Sequence, residues 1–278
     1  MKTQLRKRLR IAAAYMLRDL LLVYAAACLF SVFFIDRLMF HPDLVKNGYD
    51  ASLPGYTDIG TNGVRIAALV IGPEKGKKAL IYCHGNAEDI TTSAEYLRMI
   101  SADGYTAATV DYPGYGLSDG VPTEAGCYRN VHRLYDWLVS ERGFAPEDIV
   151  VLGFSIGSGP AVELASSRPV AGLILEEAFI SAPRVLTRVR LLPADPFPNI
   201  SRIKKIVCPK LFIHGTADKV VPFFHGKKLY AAAPSPKKFV DVADAGHTDF
   251  AEKLGMEAYR SLILGFLESL DGNGGDVP

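Results

Sequence analysis

The most constraining stretch of the sequence is Gly153-Phe154-Ser155-Ile156-Gly157, a GxSxG pattern between the apolar run DIVVLGF and a helix start of small residues. A serine on a sharp strand-to-helix turn is held in a strained conformation that presents its Oγ at the carboxyl edge of a sheet. The flanking glycines are needed because a side chain there would strike neighbouring backbone. Gly159 and Ala161 continue the small-residue surface.

The rest of the chain fits that turn. From about Leu53, short β-branched runs alternate with amphipathic stretches. The predicted strands are VRIAALVIG (from Val64), KALIYCHG (from Lys78), AATVDY (from Ala107), DIVVLGFS (from Asp148), VAGLILEE (from Val170), KLFIHG (from Lys210) and KKFVDV (from Lys237). Helices are predicted over residues 87–102, 124–142, 156–167, 223–233 and 252–270. This alternation indicates a mostly parallel sheet with helical crossovers, a three-layer α/β sandwich that can open with an antiparallel hairpin. A length of 278 residues suits one large domain better than two small ones. The expected organisation is a basic N-terminus with an anchor or signal-like segment over 1–40, a catalytic domain over 41–270 and a flexible tail over 271–278.

A serine hydroxyl attacks only when a base takes its proton. Six histidines are candidates. His41 adjoins the N-terminal apolar segment and His132 falls in a helical pattern. His84 and His214 each close a strand in an HG pair, as tight backbone packing would. His247, in AGHT after the last strand, stands where the chain order serine, acid, histidine requires the base, with His225 second. The imidazole needs a carboxylate to fix its tautomer. Asp218 lies between serine and histidine in HGTADKVVP, where it could equally cap a turn; Glu176 and Glu177, ending the strand before, are its rivals. Asp244 and Asp249 are read as loop residues. Negative charge developing on a substrate oxygen needs preorganised N–H donors. Ile156, next after the serine, and Asn86, in the His84-Gly85-Asn86-Ala87 turn, are the expected oxyanion-hole residues.

Together LMFHP (from Leu38), HGNAED (from His84), DYPGYGLSDG (from Asp111), GFSIGSG, HGTADKVVP and AGHTDF resemble the α/β-hydrolase superfamily. The chain is most similar to its small membrane-anchored branch of abhydrolase-domain serine hydrolases, over about residues 20–270. The resemblance implies an α/β-hydrolase sandwich with a Ser155–His247–Asp218 triad, hydrolysing a carboxylic ester or thioester through an acyl-enzyme. The EEAF stretch departs from the family's smaller, less acidic residues there. A peptidase or amidase on the same fold, and a catalytically inactive scaffold, are the competing readings. Between Glu177 and Lys210, where this fold inserts its cap, the chain has room for one helix and a Pro-rich loop. Phe179, Leu186, Leu191, Leu192 and Phe197 could line the resulting open site or belong to the core.

Residues 20–35, LLLVYAAACLFSVFFI, carry no charge and follow a block containing Lys2, Arg6, Lys7, Arg8 and Arg10. The run suits an uncleaved membrane anchor, somewhat short of the roughly 20 residues of a full span. Cleavage after the alanines, lipidation of Cys28 and an ordinary buried helix are alternatives. The positive-inside rule keeps the N-terminus cytoplasmic and the catalytic domain on the far side. A net charge of +1 gives no reason to expect nucleic acid as a partner. The expected partners are a small or lipid-like acyl ester and the membrane. Four scattered cysteines without CxxC or histidine spacing suggest no metal site, and no cofactor is expected.

Overall fold

The computed structural model describes residues 2–45 and 51–271. Its centre is an eight-stranded sheet: β1 (Tyr56–Asp58), β2 (Ala67–Ile71), β3 (Ala79–Cys83), β4 (Thr106–Val110), β5 (Ile149–Phe154), β6 (Gly172–Glu176), β7 (Lys210–Gly215) and β8 (Lys237–Val242). The strand order is β1-β2-β4-β3-β5-β6-β7-β8. β1–β2 and β2–β4 pair antiparallel and the remaining pairs are parallel. The opening hairpin that the sequence allowed is therefore present, and the fold is the expected mostly parallel α/β sandwich.

Both faces of the central strands are buried, which explains their unbroken apolar runs. Ala79, Ile81 and Cys83 of β3 and Ile149 and Val151 of β5 face one core. It is completed by α3 (Glu124–Ser140), α4 (Ser158–Ser167) and α7 (Phe224–Ala232). The alternate residues Leu80, Tyr82, Val150 and Leu152 face a second core, closed by α2 (Ala94–Ser101), α8 (Phe250–Leu254) and α9 (Met256–Ser269). The period-2 alternation of a strand divides each apolar run between two layers.

Five local expectations change. β1 was not foreseen, and the strand expected from Val64 begins at Ala67, because Thr61 and Val64 close a turn and Val64 is exposed. The helix expected from residue 87 begins at Ala94. Asp89 Oδ1 accepts from Thr92 N at 2.7 Å, Ser93 Oγ donates to Asp89 O at 2.7 Å, and Ile90 N donates to Asp111 Oδ1. Local side-chain bonds of this kind displace helix. The single helix expected over 252–270 is split at Gly255, whose φ of +91° no helix accepts. The cap holds two four-residue helices, α5 (Arg184–Thr187) and α6 (Asn199–Arg202), instead of one.

At the N-terminus α1 (Lys2–Met39) is a single helix running through Arg18 and Asp19, which pair with each other at 2.8 Å. Among the described residues it is the one helix long and apolar enough to cross a membrane. Leu20, Leu21, Val23, Leu29, Phe30, Val32 and Phe33 are exposed along it. Its far end joins the domain: Phe40 is buried, its ring edge-on to Tyr115 and Phe197. Cys28, Cys83, Cys127 and Cys208 are free thiols. Of the tail expected over 271–278, all but Asp271 lies outside the described residues.

Candidate active site

Ser155 follows β5 directly, in a single 3₁₀ turn (Ser155–Gly157) that leads into α4. Its φ of +52° is a left-handed conformation costing a serine about 1–3 kcal/mol. The turn is packed tightly against β3: a Cβ on Gly157 would lie 2.0 Å from Cys83 O at the end of that strand. The elbow expected from GxSxG thus rests on adjacent strands meeting without intervening side chains.

His247, on the loop after β8, turns Nε2 to Ser155 Oγ at 2.9 Å and Nδ1 to Asp218 Oδ2 at 2.7 Å. The ring of Phe154 packs against the imidazole, centroids 5.3 Å apart. Asp218 is buried on the loop after β7, and its Oδ1 accepts from Val220 N at 2.7 Å and Val221 N at 2.9 Å. Burial alone would raise its pKa, but bonds from His247 and Glu177, the charge of His247 and the Val221 N–H together hold it down to about 2. Asp218 therefore both caps a turn and meets His247; the two roles expected of it coincide. A hydroxyl, an imidazole and an ionised carboxylate in this order can move a proton off Oγ as Oγ attacks.

None of the rival residues hydrogen-bonds to Ser155 Oγ or takes the place of Asp218 on His247. Glu176 accepts from Tyr259 Oη at 2.6 Å, and burial lifts its pKa to about 8. Glu177 accepts from Gly215 N at 2.7 Å. His225 is buried and takes Ile180 N on Nδ1, and burial depresses its pKa to about 4. His84 donates Nδ1 to Gly85 O at 2.8 Å and stacks on Tyr112. His132 pairs with Glu163 at 2.6 Å. His41 stands at the end of α1, its N–H donating to Tyr115 Oη.

Ser155 opens onto a cavity of about 730 Å³. Gly85, Asn86 and Ile156, the expected oxyanion-hole region, form one wall, and Phe179, Ala182, Val185 and Leu186 of the cap another. Phe179 and Leu186 thus line the cavity, as they could. Phe197 is wholly buried in the core. Leu191 and Leu192 border a separate depression with Tyr24 and Cys28 of α1. The third wall was not anticipated: Leu38, Met39, His41 and Leu44, from the end of α1 and the turn after it. Its only trace in the sequence is LMFHP, which marks a special segment without saying where it docks. The Asn86 side chain ties that wall down, donating Nδ2 to Met39 O at 2.9 Å and accepting from His41 N and Tyr115 Oη on Oδ1.

A model of the alpha/beta hydrolase family matches residues 80–200. Human alpha/beta hydrolase domain-containing protein 17B is 36% identical over 193 residues, 68% of this chain and 67% of its own length. The chain belongs to the alpha/beta hydrolase family. Another relative, alpha/beta hydrolase domain-containing protein aho-3 of Caenorhabditis elegans, is 34% identical over 189 residues, 66% of this chain and 57% of the relative. Among solved structures, a Pyrococcus furiosus esterase superposes with a TM-score of 0.66 at 18% identity, covering 82% of this chain and 98% of that one. An alpha-beta hydrolase of Vibrio vulnificus gives 0.66 at 19% identity, covering 84% and 92%. These two likenesses are of fold. The coarse chemistry that goes with membership of the alpha/beta hydrolase family is hydrolysis.

Proposed function

We propose that the chain is a serine hydrolase cleaving a carboxylic ester or thioester through an acyl-enzyme on Ser155, tethered to a membrane by α1. The observation that carries the chemistry is the hydrogen-bonded line Asp218–His247–Ser155 ending at an apolar cavity. Ser155 Oγ attacks the acyl carbon while His247 Nε2 takes its proton, and Asp218 holds Nδ1–H and stabilises the imidazolium. The N–H groups of Ile156 and Asn86 receive the oxyanion, a contribution of about 3–4 kcal/mol per donor in comparable sites. His247 then protonates the leaving alcohol or thiol, and water repeats the sequence in reverse to free the acid.

The end of α1 supports a membrane-side acyl substrate. If residues 20–35 occupy the bilayer, Leu38, Met39 and Leu44 bring the cavity mouth to its surface. Leu186 at the cavity and Val189 and Leu191 further along the cap stand exposed, and Tyr24 Oη donates to Leu191 O at 2.9 Å, so cap and anchor meet. An acyl chain could pass from lipid to Ser155 along apolar surface. The basic block before the anchor keeps the N-terminus cytoplasmic and the domain on the other side. This organisation makes residues 1–40 the anchor and 41–270 the catalytic domain.

A fluorophosphonate probe tests the nucleophile: wild type labels and Ser155→Ala does not. Undiminished labelling of the variant refutes the assignment. A panel of p-nitrophenyl esters, acyl thioesters and aminoacyl anilides should show turnover of the first two classes. Turnover confined to anilides would make the protein an amidase. A C-terminal reporter active only in the cytoplasm would reverse the orientation.

A further inference from the structure

Asp218 has a second buried neighbour that this mechanism does not use. Glu177, the first residue after β6, is fully buried and adopts a φ of +48°, strained for a glutamate. Its Oε1 accepts from Gly215 N. Its Oε2 lies 3.0 Å from His214 Nε2, and the facing atoms of Glu177, His214 and Asp218 lie within 4.8 Å of one another.

The proton inventory of this cluster follows from its partners. His214 Nε2 also faces Val221 O at 2.9 Å, and a carbonyl can only accept, so Nε2 carries the hydrogen. Its Nδ1 is buried without a partner; protonating it would strand a second N–H, and burial lowers the pKa of this ring. His214 is therefore neutral, and no cation stands between the carboxyls. Two buried carboxyls this close cannot both ionise. Asp218 has three donors, Val220 N–H, Val221 N–H and His247 Nδ1–H, whereas Glu177 has Gly215 N–H. The negative charge belongs on Asp218 and the proton on Glu177. Oε1 is taken by Gly215 N–H and the His214 Nε2–H is bonded to Val221 O, so the proton sits on Oε2, which has no hydrogen-bond partner of its own.

We propose that Glu177 is a positioning residue: as a neutral carboxylic acid it donates from Oε2 to the Asp218 carboxylate and so fixes the group that orients His247. The proposal rests on the triad reading above. Burial and the neighbouring Asp218 push the Glu177 pKa up to about 11, in keeping with a proton retained at neutral pH. Besides His214 and Asp218, the charged or titratable groups around the cluster are Glu176 on β6, His225 on α7 and His247. The same three side chains have a metal-like spacing, but Nε2 of His214 carries a hydrogen bonded to Val221 O and has no lone pair to offer a cation.

The consequence for His247 has a definite sign. A donor to Asp218 draws off part of its negative charge, so losing the donor strengthens the pairing of Asp218 with a protonated His247 and moves the acid limb of the kcat/KM profile to higher pH. Glu177→Gln keeps a donor and an acceptor and should hold activity and limb near wild type. Glu177→Leu should lose roughly tenfold in kcat, the worth of a charge-assisted hydrogen bond, and shift the limb upward. A Glu177→Leu limb equal to that of wild type overturns the proposal, because a merely space-filling residue would leave the limb in place. Infrared difference spectra at pH 9 supply a readout independent of catalysis. There Asp111, at about 7, and Glu176, at about 8, are mostly ionised. Wild type minus Glu177→Gln should show a protonated-carboxyl C=O band, present also on the Ser155→Ala background; no band refutes the proton assignment. An active Ser155→Ala would refute the triad while leaving that band to be read on its own. Activity lost on EDTA dialysis and restored by Zn²⁺ would make the cluster a metal site and overturn the proposal.

Discussion

Gly157→Ala is a severe test of how the elbow is built. Gly157 has a φ of −61°, so alanine fits the backbone, and a glycine-to-alanine change at such a site ordinarily stabilises by about 0.4–1 kcal/mol. Here the added methyl would meet Cys83 O at 2.0 Å, Cys83 C at 2.6 Å and His84 O at 2.7 Å, where ordinary contact begins at 3.4 Å. All three are backbone atoms at the end of β3, so no rotamer change relieves the clash. Overpacking against backbone costs about 1–3 kcal/mol, which exceeds the entropic gain. Relief requires the elbow and the His84–Asn86 turn to part by about 1 Å, separating the N–H groups of Ile156 and Asn86 proposed as oxyanion donors, and a displacement of that size costs on the order of 10² in rate. The expected result is a lower urea midpoint in detergent, kcat/KM for a p-nitrophenyl ester down about a hundredfold, and KM changed much less. Gly265→Ala is the control: its Cβ meets nothing within 4 Å, and it sits inside α9, so stability should rise by about 0.5–1 kcal/mol with activity unchanged. If Gly157→Ala keeps activity within about threefold and loses no stability, close packing of the elbow on β3 does not set the donor geometry.

Asp111 is fully buried, accepts from Ile90 N and Leu117 N, and burial raises its pKa from 3.8 to about 7. The folded state holds a proton that the unfolded state gives up, so its contribution is complete below pH 3.8 and is lost as pH rises through about 7, on the order of 4 kcal/mol. Asp111→Asn should flatten that part of the stability–pH curve; an unchanged slope in urea titrations at pH 4 to 8 refutes it. Asn86→Ala removes the two bonds to the end of α1 (Met39 O and His41 N) and the one to Tyr115 Oη, and should lower kcat by about tenfold while exposing the Met39–His41 backbone to hydrogen exchange. Equal exchange in variant and wild type would show that the latch is dispensable. Met39→Trp, narrowing the wall that α1 provides, should depress turnover of long-chain esters at least about tenfold more than that of acetate esters. Uniform loss across chain lengths would remove α1 from the acyl path.

The sheet was legible in the sequence because its central strands are buried on both faces, so each apolar run of β3, β5, β6 and β7 stands out from its polar surroundings. β1 was not, because a three-residue edge strand with two half-buried residues carries too little pattern. The late start of α2 depends on Asp111, more than 15 residues on, receiving Ile90 N. That is a tertiary fact no local propensity contains. Ser155, Asp218 and His247 could be listed because turn chemistry and chain order constrain them. Glu177 could be read only as a rival acid, since sequence cannot distinguish a carboxyl facing the imidazole from one facing the carboxylate beside it.

The docking of α1 and the readiness of the candidate site meet in one side chain. Asn86 borders the cavity, where its backbone N–H is proposed to receive the oxyanion, and spends its side-chain amide on Met39 O, His41 N and Tyr115 Oη. Tyr115 in turn packs on Phe40, the residue that plugs the end of α1 into the core beside Phe197. A donor positioned to within a fraction of an ångström needs a rigid support, and here part of that support is the helix that leaves the domain. The loop could have been stapled internally, as the Asp89–Thr92 bonds staple its next residues. Routing the support through α1 makes the geometry around Ser155 depend on the end of α1 being seated. A chain cut before Leu38 would lose a cavity wall and the partners of Asn86 together, so its activity should fall further than lost membrane affinity alone can explain.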